Sequence, residues 1–361
     1  MIHVIIGTKA QLIKMAPIMC RLKARGLEYR YISTGQHKET MSDILDNFGL
    51  PGPDIFLYRG RDISSIASML FWSFRVLWIS VFFKRRVFGK GGKRRDLVLV
   101  HGDTMSTLLG AIMARLAGMR VGHVESGLRS FDFFNPFPEE VTRVLTFKLA
   151  HYFFCQDQTA VDNLKKYKGL KVNTEGNSLY DALCLVNYND INGSVENASF
   201  GIVTLHRHEN INSKEAVERL LFLVEIVASL HRLIFVLHEP TKKALIKFDL
   251  MSRVEKHKNI KTVPRMDYFS FIRCLKKSDF VVSDGGSNQE ECSYLGKPLL
   301  LLRSATERNE GLGDNCLLSG YSQEVVSRFS EEYFNYNREV MAEISSPSDK
   351  IVNFIFENEI Y

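Results

Sequence analysis

Cysteine is too sparse and too scattered to organise this chain. The six residues, at positions 20, 155, 184, 274, 292 and 316, form no CxxC pair and no Cys/His ligand spacing. That excludes a disulfide framework and a zinc module. Proline is rare, at nine residues, and the 24 glycines follow no period, so collagen-like and low-complexity chains are excluded as well. Apolar residues are not scarce, at 45% against 24% charged, which rules out disorder as the dominant state. The start, Met1-Ile2-His3-Val4-Ile5-Ile6-Gly7, has neither a basic n-region nor a small-residue cleavage site, and predicts a cytoplasmic protein with free, buried thiols. A length of 361 residues exceeds one ordinary core and predicts two domains.

Acid is missing from one long stretch. Ile66 to Phe83 is almost continuously apolar, carries both tryptophans, Trp72 and Trp78, and has Arg75 as its only charge. It runs into Lys84, Arg85, Arg86, Lys90, Lys93, Arg94 and Arg95. This cluster accounts for the net charge of +6, and without it bases and acids nearly cancel. So local a cluster is not a nucleic-acid footprint, and no nucleic acid beyond a bound nucleotide is expected. At about 100° per residue, Ser68/Arg75 and Ser73/Ser80 form two narrow stripes on an otherwise apolar helix. The run sits at the lower limit for a membrane span, roughly 18 residues. A span would also cut the first domain in two, since Leu97-Val98-Leu99-Val100 resumes as a buried strand. Two readings stay open. In one, the helix lies on a membrane surface, aromatic side down, with the basic cluster against anionic head groups. In the other it is buried on both sides and followed by a solvated basic loop. We favour the first, which places the protein peripherally at the inner face of the membrane.

Elsewhere short β-branched runs alternate with helical stretches, the pattern of parallel sheets flanked by helices. Strands are predicted near 2–6, 28–33, 97–101, 120–124 and 152–156. Helices fit near 10–25, 40–48, 63–83, 104–117, 138–150 and 159–167. An Asn-rich stretch, 187–197, is the linker candidate. Beyond it, strands near 200–205, 233–238, 260–263, 279–283 and 298–302 alternate with helices near 213–231, 240–253, 267–277, 287–295 and 321–327. An amphipathic helix near 347–358 closes the chain. The expected fold is α/β: two doubly wound Rossmann-like domains, 1–180 and 181–345, facing a central cleft, with a C-terminal helix, 346–361, packing back on the first domain.

The chemically informative residues fall at predicted strand ends. His101-Gly102-Asp103-Thr104 follows one strand and His123-Val124-Glu125-Ser126-Gly127-Leu128-Arg129 the next, while Pro136-Phe137-Pro138-Glu139-Glu140 opens a helix. Three loops thus bring Asp103, Glu125 and Glu139 to one edge of the sheet, where grouped carboxylates suit proton transfer. Glu140 reads as a helix-start residue. In the second half, Thr204-Leu205-His206-Arg207-His208-Glu209-Asn210 ends a strand, with His206 the better candidate for binding phosphate or donating a proton and His208 the better candidate for a solvated loop residue. HRHE is not a metal motif, because adjacent strand residues point to opposite sides. Ser283-Asp284-Gly285-Gly286-Ser287-Asn288-Gln289-Glu290-Glu291 pairs two glycines with a helix start, a phosphate-binding pattern, and Glu291 could accept from ribose hydroxyls. With Leu295-Gly296-Lys297-Pro298, Arg303 and Thr306-Glu307-Arg308 it reads as a nucleotide-diphosphate pocket. No GxGxxG lies near residue 7, so a nicotinamide or flavin site has little support.

Taken in order, GTKAQLIKMAP (7–17), TGQH (34–37), HGDT (101–104), HVESGLRS (123–130), PFPEE (136–140), EGN (175–177), TLHRHEN (204–210), SDGGSNQEE (283–291), LGKP (295–298) and TERNE (306–310) resemble the non-hydrolysing UDP-N-acetylglucosamine 2-epimerase family. The resemblance runs from Gly7 to about Gly320 and implies the glycosyltransferase-B-like two-domain fold. It implies elimination of UDP across C1–C2 to 2-acetamidoglucal and re-addition with C2 inverted, in surface polysaccharide synthesis. By position it assigns Asp103, Glu125 and Glu139 to proton transfer and leaving-group support, and His206 to the diphosphate. The candidate substrate contacts are Lys9, Lys14, Arg129, Arg143, Arg207, His238, Gly285, Gly286, Ser287, Glu291 and Arg308. No cofactor and no metal are implied, and the partner is a UDP-sugar; an anionic membrane through 66–95 and a second copy of the chain are further partners left open.

Three departures stand out. The family's first loop usually reads GTRPE, whereas here it is Gly7-Thr8-Lys9-Ala10-Gln11, and lysine lacks the planar fork of arginine. The usual SGG is replaced by Gly285-Gly286-Ser287, with GLGDN after the TER segment. The helix at 63–83 is amphipathic in soluble members and nearly all apolar here. The last of these keeps a second reading alive, a membrane-peripheral glycosyltransferase with a UDP-sugar donor and a lipid-linked or polysaccharide acceptor. A sugar-nucleotide-binding protein without catalysis is the weakest reading, because the acidic constellation is intact.

Overall fold

Runs of β-branched residues and leucine become strands where both of their faces can be covered by helices. The computed structural model describes residues 1–36, 41–60, 63, 66–89, 96–134, 137–188, 199–306, 308–340 and 345–360. Most of the linker candidate and the basic residues from Lys90 to Arg95 lie outside the described residues. The chain forms two compact units. One holds Met1–Leu185 and the C-terminal helix, and the other runs from Val186 through the turn at Tyr333–Tyr336.

The first unit begins with β1 (Ile2–Ile6), α1 (Lys9–Ala24), β2 (Tyr29–Ser33), α2 (Met41–Phe48) and β3 (Ile55–Phe56). Then come α3 (Ile66–Phe82), α4 (Lys84–Phe88), β4 (Leu97–His101), α5 (Met105–Leu116) and β5 (Arg120–Val124). It continues through α6 (Glu139–Leu149), β6 (Tyr152–Cys155), α7 (Gln158–Asn163), β7 (Leu170–Asn173) and α8 (Leu179–Cys184). Its seven strands are all parallel, in the order β3-β2-β1-β4-β5-β6-β7. Ile5, Ile32, Val98, Val100, Val121 and Phe153 form the core under α3, α5 and α6.

The second unit holds β8 (Gly201–Thr204), α9 (His208–Ile211), α10 (Lys214–Leu230), β9 (Leu233–Leu237), α11 (Glu239–Lys247) and α12 (Met251–Glu255). It is completed by β10 (Ile260–Pro264), α13 (Tyr268–Lys277), β11 (Phe280–Ser283), α14 (Gly286–Leu295), β12 (Leu299–Leu301), β13 (Cys316–Leu318) and α15 (Gln323–Glu332). Its sheet, also parallel, runs β10-β9-β8-β11-β12-β13. Val203, Leu205, Phe235, Phe280, Val282 and Leu300 make its core. The single helix expected over 240–253 is two helices, α11 and α12, because Asp249 adopts a left-handed φ of 59° that ends the first.

Local chemistry fixes the helix starts. Thr104, Asp157, Ser213, Asp267, Ser322 and Ser346 each accept at their side chain from the backbone N–H three residues on. The last of these opens α16 (Pro347–Glu357), which packs on α1 and α8. There Asp181 accepts from the Ser348 N–H at 2.7 Å, and Phe354 meets the Tyr152 and Phe154 rings.

The apolar helix α3 is not buried on both sides. Trp72, Val76 and Ser80 form its inner face against α5, with Trp72 Nε1 donating to the Thr34 carbonyl at 3.0 Å. Ser80 faces inward and donates to the Leu77 carbonyl, so this serine marks no solvent stripe. Leu70, Phe71, Phe74, Trp78, Val81 and Phe82 lie outward, each between 49% and 64% exposed. No described helix is long and apolar enough to cross a membrane.

Candidate active site

In each parallel sheet the strand order reverses at one point, and the loops leaving the two strands beside it diverge to open a crevice. In the first unit that point lies between β1 and β4, and in the second between β8 and β11. Five of the motifs singled out in the sequence follow these four strands and β5, so each unit gathers candidate residues beside its switch point.

The cluster in the first unit begins at Gly7. A Cβ there would lie 1.9 Å from Ser106 Oγ and 2.4 Å from Thr34 Oγ1, so only glycine lets β1 turn here. Thr8 and Gln11 close a reciprocal capping box on α1. Gln11 uses its whole amide: Oε1 accepts from the Gly7 and Thr8 N–H groups at 2.9 and 3.1 Å. Its Nε2 donates to the His101 carbonyl at 2.7 Å and to Thr107 Oγ1 at 2.9 Å. The missing first-loop acid is thereby explained, since a carboxylate could not donate to those two acceptors.

Lys14, one turn further along α1, is buried and donates to Glu125, as does Asn177. Glu125 itself sits at a left-handed φ of 57°, a conformation costing a non-glycine residue about 1 kcal/mol. Its ion pair and hydrogen bonds hold it there, aimed off the end of β5. Removing one partner of such a buried pair is costly. Lys14→Met is therefore expected to lower stability by about 3 kcal/mol, measured by urea unfolding; an unchanged midpoint would show that Glu125 does not depend on Lys14.

Asp103 accepts from Arg143 NH2 at 2.5 Å. Glu139 opens α6 half-buried, and Thr142 Oγ1 reaches both the Glu139 carbonyl, at 2.8 Å, and the Asp103 carbonyl, which ties the two loops together. Glu140 is more than a helix-start residue. Fully buried, it accepts from Arg129, from the Ser130 N–H at 3.2 Å and from Arg143 NH1 at 3.3 Å. Burial pushes its carboxyl up, but those donors outweigh it and hold it below its ordinary range. The same carboxylates raise Arg143 against the effect of its own burial. Arg129 and Arg143 are thus committed to carboxylates, and Arg143 bridges the catalytic candidate Asp103 to the structural anchor Glu140.

Two buried histidines line the same edge. His123 Nε2 lies 2.7 Å from the Gly102 carbonyl, so it must carry the proton, and Nδ1 accepts from Ser126 Oγ at 2.9 Å. His101 Nε2 lies 3.7 Å from Glu125. Burial lowers both rings to about 4. Above pH ~6.5 they are neutral in the folded and unfolded chain alike. As the pH falls below that value the unfolded chain takes up protons that the folded chain refuses until about pH 4, so stability drops across this window and levels beneath it. Between pH 7.5 and 5 the two should together remove on the order of 4 kcal/mol, read from urea unfolding at each pH. His123→Gln should remove about half of that 4 kcal/mol, and equal stability at both pH values would contradict the assignment.

The cluster in the second unit is organised by Asp284, which is fully buried. Its carboxylate accepts from the His206 N–H at 3.0 and 3.2 Å, the Arg207 N–H at 3.0 Å and Asn210 Nδ2 at 3.0 Å. Tyr321 Oη completes the network by donating to Asn210 Oδ1 at 2.6 Å. The His206 side chain is 40% exposed, with its ring 4.9 Å from that of His238, whose Nε2 lies 3.1 Å from Thr204 Oγ1. A Cβ on Gly285 would come within 2.9 Å of His206 Cε1, so this glycine admits the imidazole over the turn. Gly285 also caps α14 without a side-chain hydrogen bond, which leaves the helix's first N–H groups to a ligand. Gly286 and the exposed Ser287 form that first turn.

Other predicted contacts are engaged with protein. Glu291 is buried and accepts from Asn288 Nδ2 at 3.0 Å. Arg308 pairs with buried Glu290 at 2.9 Å, and Arg207 Nε lies 3.1 Å from Glu209. Lys9 lies half-buried in the first turn of α1. Sequence reasoning assigned no role to Asn177, His101, Gln11 or Asp284, although each stands inside a quoted motif. For His101 and Asp284 the signal available was a polar residue at a strand end; Gln11 and Asn177 stand four or five residues beyond theirs.

This fold and these two sets of strand-end residues define a class: a two-unit α/β enzyme of the glycosyltransferase-B-like kind that handles nucleotide sugars. Residues 21–347 match the profile of UDP-N-acetylglucosamine 2-epimerase. The chain belongs to the UDP-N-acetylglucosamine 2-epimerase family, which is a family of sugar-nucleotide epimerases. It is 31% identical over 356 residues to the UDP-N-acetylglucosamine 2-epimerase of Methanococcus maripaludis, covering 93% of this chain and 92% of that one. With the enzyme of that name from Neisseria meningitidis serogroup A it shares 30% over 368 residues, covering 95% and 94%. Among solved structures, Methanocaldococcus jannaschii UDP-GlcNAc 2-epimerase in complex with UDP-GlcNAc and UDP superposes with a TM-score of 0.80 at 27% identity, over 99% of both chains. The relatives are epimerases, which favours that reading over the glycosyltransferase.

Proposed function

We propose that the protein is a cytoplasmic enzyme that interconverts UDP-N-acetylglucosamine and UDP-N-acetylmannosamine. The reaction takes a proton from C2 while the C1–O bond to UDP breaks, giving 2-acetamidoglucal. A proton then returns to the opposite face of C2 as the UDP oxygen adds back to C1. Inversion at C2 requires acid–base groups that reach both faces of the sugar, and a firmly held diphosphate keeps the leaving group in place for re-addition. Asp103, Glu125 and Glu139 are the proton-transfer set, each on a different loop. Arg143 holds Asp103 and Lys14 holds Glu125, so these two carboxylates stay oriented. The first turn of α14, with Gly286 and Ser287, receives the diphosphate, and His206 stabilises charge on the departing UDP.

The observation that carries this reading is the pairing of Asp103 with Arg143 and of Glu125 with Lys14 and Asn177 at one edge of one sheet. A binding protein has no need of carboxylates positioned in this way. The test is to give the purified protein UDP-N-acetylglucosamine with no acceptor and follow the sugar H1 and H2 signals by NMR. Appearance of the manno epimer supports the proposal. Consumption of the nucleotide sugar only when a lipid or polysaccharide acceptor is added would replace it with transfer.

A further inference from the structure

The outer face of α3 has no role in the chemistry above. Phe74, Trp78 and Phe82 stand one turn apart on it, with ring centroids 6.1 and 4.2 Å from their neighbours, and Leu70, Phe71 and Val81 extend the strip. A contiguous exposed strip of this size is unusual on a protein surface that meets only water. The helix is not loosely held. Trp72 and Val76 anchor its inner face, and α4 is pinned directly after it by Lys84, which donates to the Ala117 carbonyl at 2.7 Å. Val87 and Phe88 are buried, whereas Phe83, Arg85 and Arg86 are exposed.

We propose that this face of α3, with Arg85 and Arg86, is a docking surface for an anionic lipid bilayer, with α3 lying in the plane of the head groups. The pattern has the two parts such binding needs: aromatic and aliphatic side chains that enter the acyl boundary, and guanidinium groups that meet lipid phosphate. No Asp or Glu occurs from Ile66 to Arg95, so nothing in the segment repels an anionic surface. An acidic membrane is complementary to both halves of the surface. The proposal stands independently of the reaction assigned above.

The experiment is flotation of the full-length protein with vesicles of phosphatidylglycerol and phosphatidylcholine, beside vesicles of phosphatidylcholine alone. Binding is expected with the first and to be at least tenfold weaker with the second, since each basic residue near the surface contributes about fivefold. Phe74→Ser/Trp78→Ser and, separately, Arg85→Glu/Arg86→Glu should each reduce binding at least tenfold while leaving thermal stability and solution activity unchanged. Absence of wild-type binding, or binding equal in all variants, would overturn the proposal. So would a concentration-dependent dimer that disappears in Phe74→Ser/Trp78→Ser, which would make α3 a self-association face.

Discussion

Asp103→Asn should lower turnover at least 10²-fold and up to about 10⁴-fold, the range for a positioned acid or base, while UDP binds as before. The substitution keeps the shape of the side chain and its contact with Arg143 but removes the group that can hold a proton. Arg143 remains anchored by Glu140, so the loop does not collapse and the loss is confined to chemistry. Steady-state kinetics beside calorimetric UDP titration separates the two effects. A variant with reduced UDP affinity and near-normal turnover would move Asp103 from proton transfer to binding. Glu139→Gln is the companion measurement. If Asp103 and Glu139 act at different faces of C2, each single variant loses activity and neither compensates for the other.

Asp284→Ala should have the second large effect, on stability and on nucleotide binding together. The carboxylate satisfies two backbone N–H groups and the Asn210 amide in a fully buried position. Its removal leaves two backbone N–H groups without an acceptor and the Asn210 amide with the Leu302 carbonyl at 3.3 Å, and hydrogen bonds to buried charge are worth about 1.5–3 kcal/mol each, though not additively. A loss of about 4 kcal/mol is expected, or roughly 10 °C in melting temperature. The loop bearing His206 and Arg207 would also lose its fixed distance from the α14 turn, so UDP affinity should fall at least tenfold. A stable variant with unchanged affinity would show that Asp284 does not organise this loop.

Every central strand is legible in the sequence, because residues such as Ile2–Ile6 and Leu97–His101 are buried on both sides and must be apolar throughout, and one edge strand, β10, is legible as well. The three strands not anticipated, β3, β7 and β13, all lie at sheet edges. Paired on one side only, Ile55–Phe56 and Leu170–Asn173 are partly exposed and carry too little apolar pattern to be distinguished from a loop. Asp103 and Glu125 could be singled out from their strand-end positions and Glu139 from its helix start, whereas the roles of Glu140 and Asp284 could not. Their function is to bind groups 11 and 78 residues away in the chain, and no local pattern encodes a partner at that distance. The outward face of α3 lay between the two cases. Its composition pointed to an interface, but only the packing of Trp72 and Val76 established which half of the helix faces outward.

The most direct test is solvent exchange at C2. The protein should be incubated in deuterium oxide with UDP-N-acetylglucosamine alone, and both epimers examined by NMR and mass spectrometry. The account predicts one deuterium at C2 of the manno product and of the recovered starting sugar, with this incorporation lost in Asp103→Asn. Epimer formed with its original hydrogen at C2, or a nucleotide sugar that binds and neither exchanges nor epimerises, would contradict it.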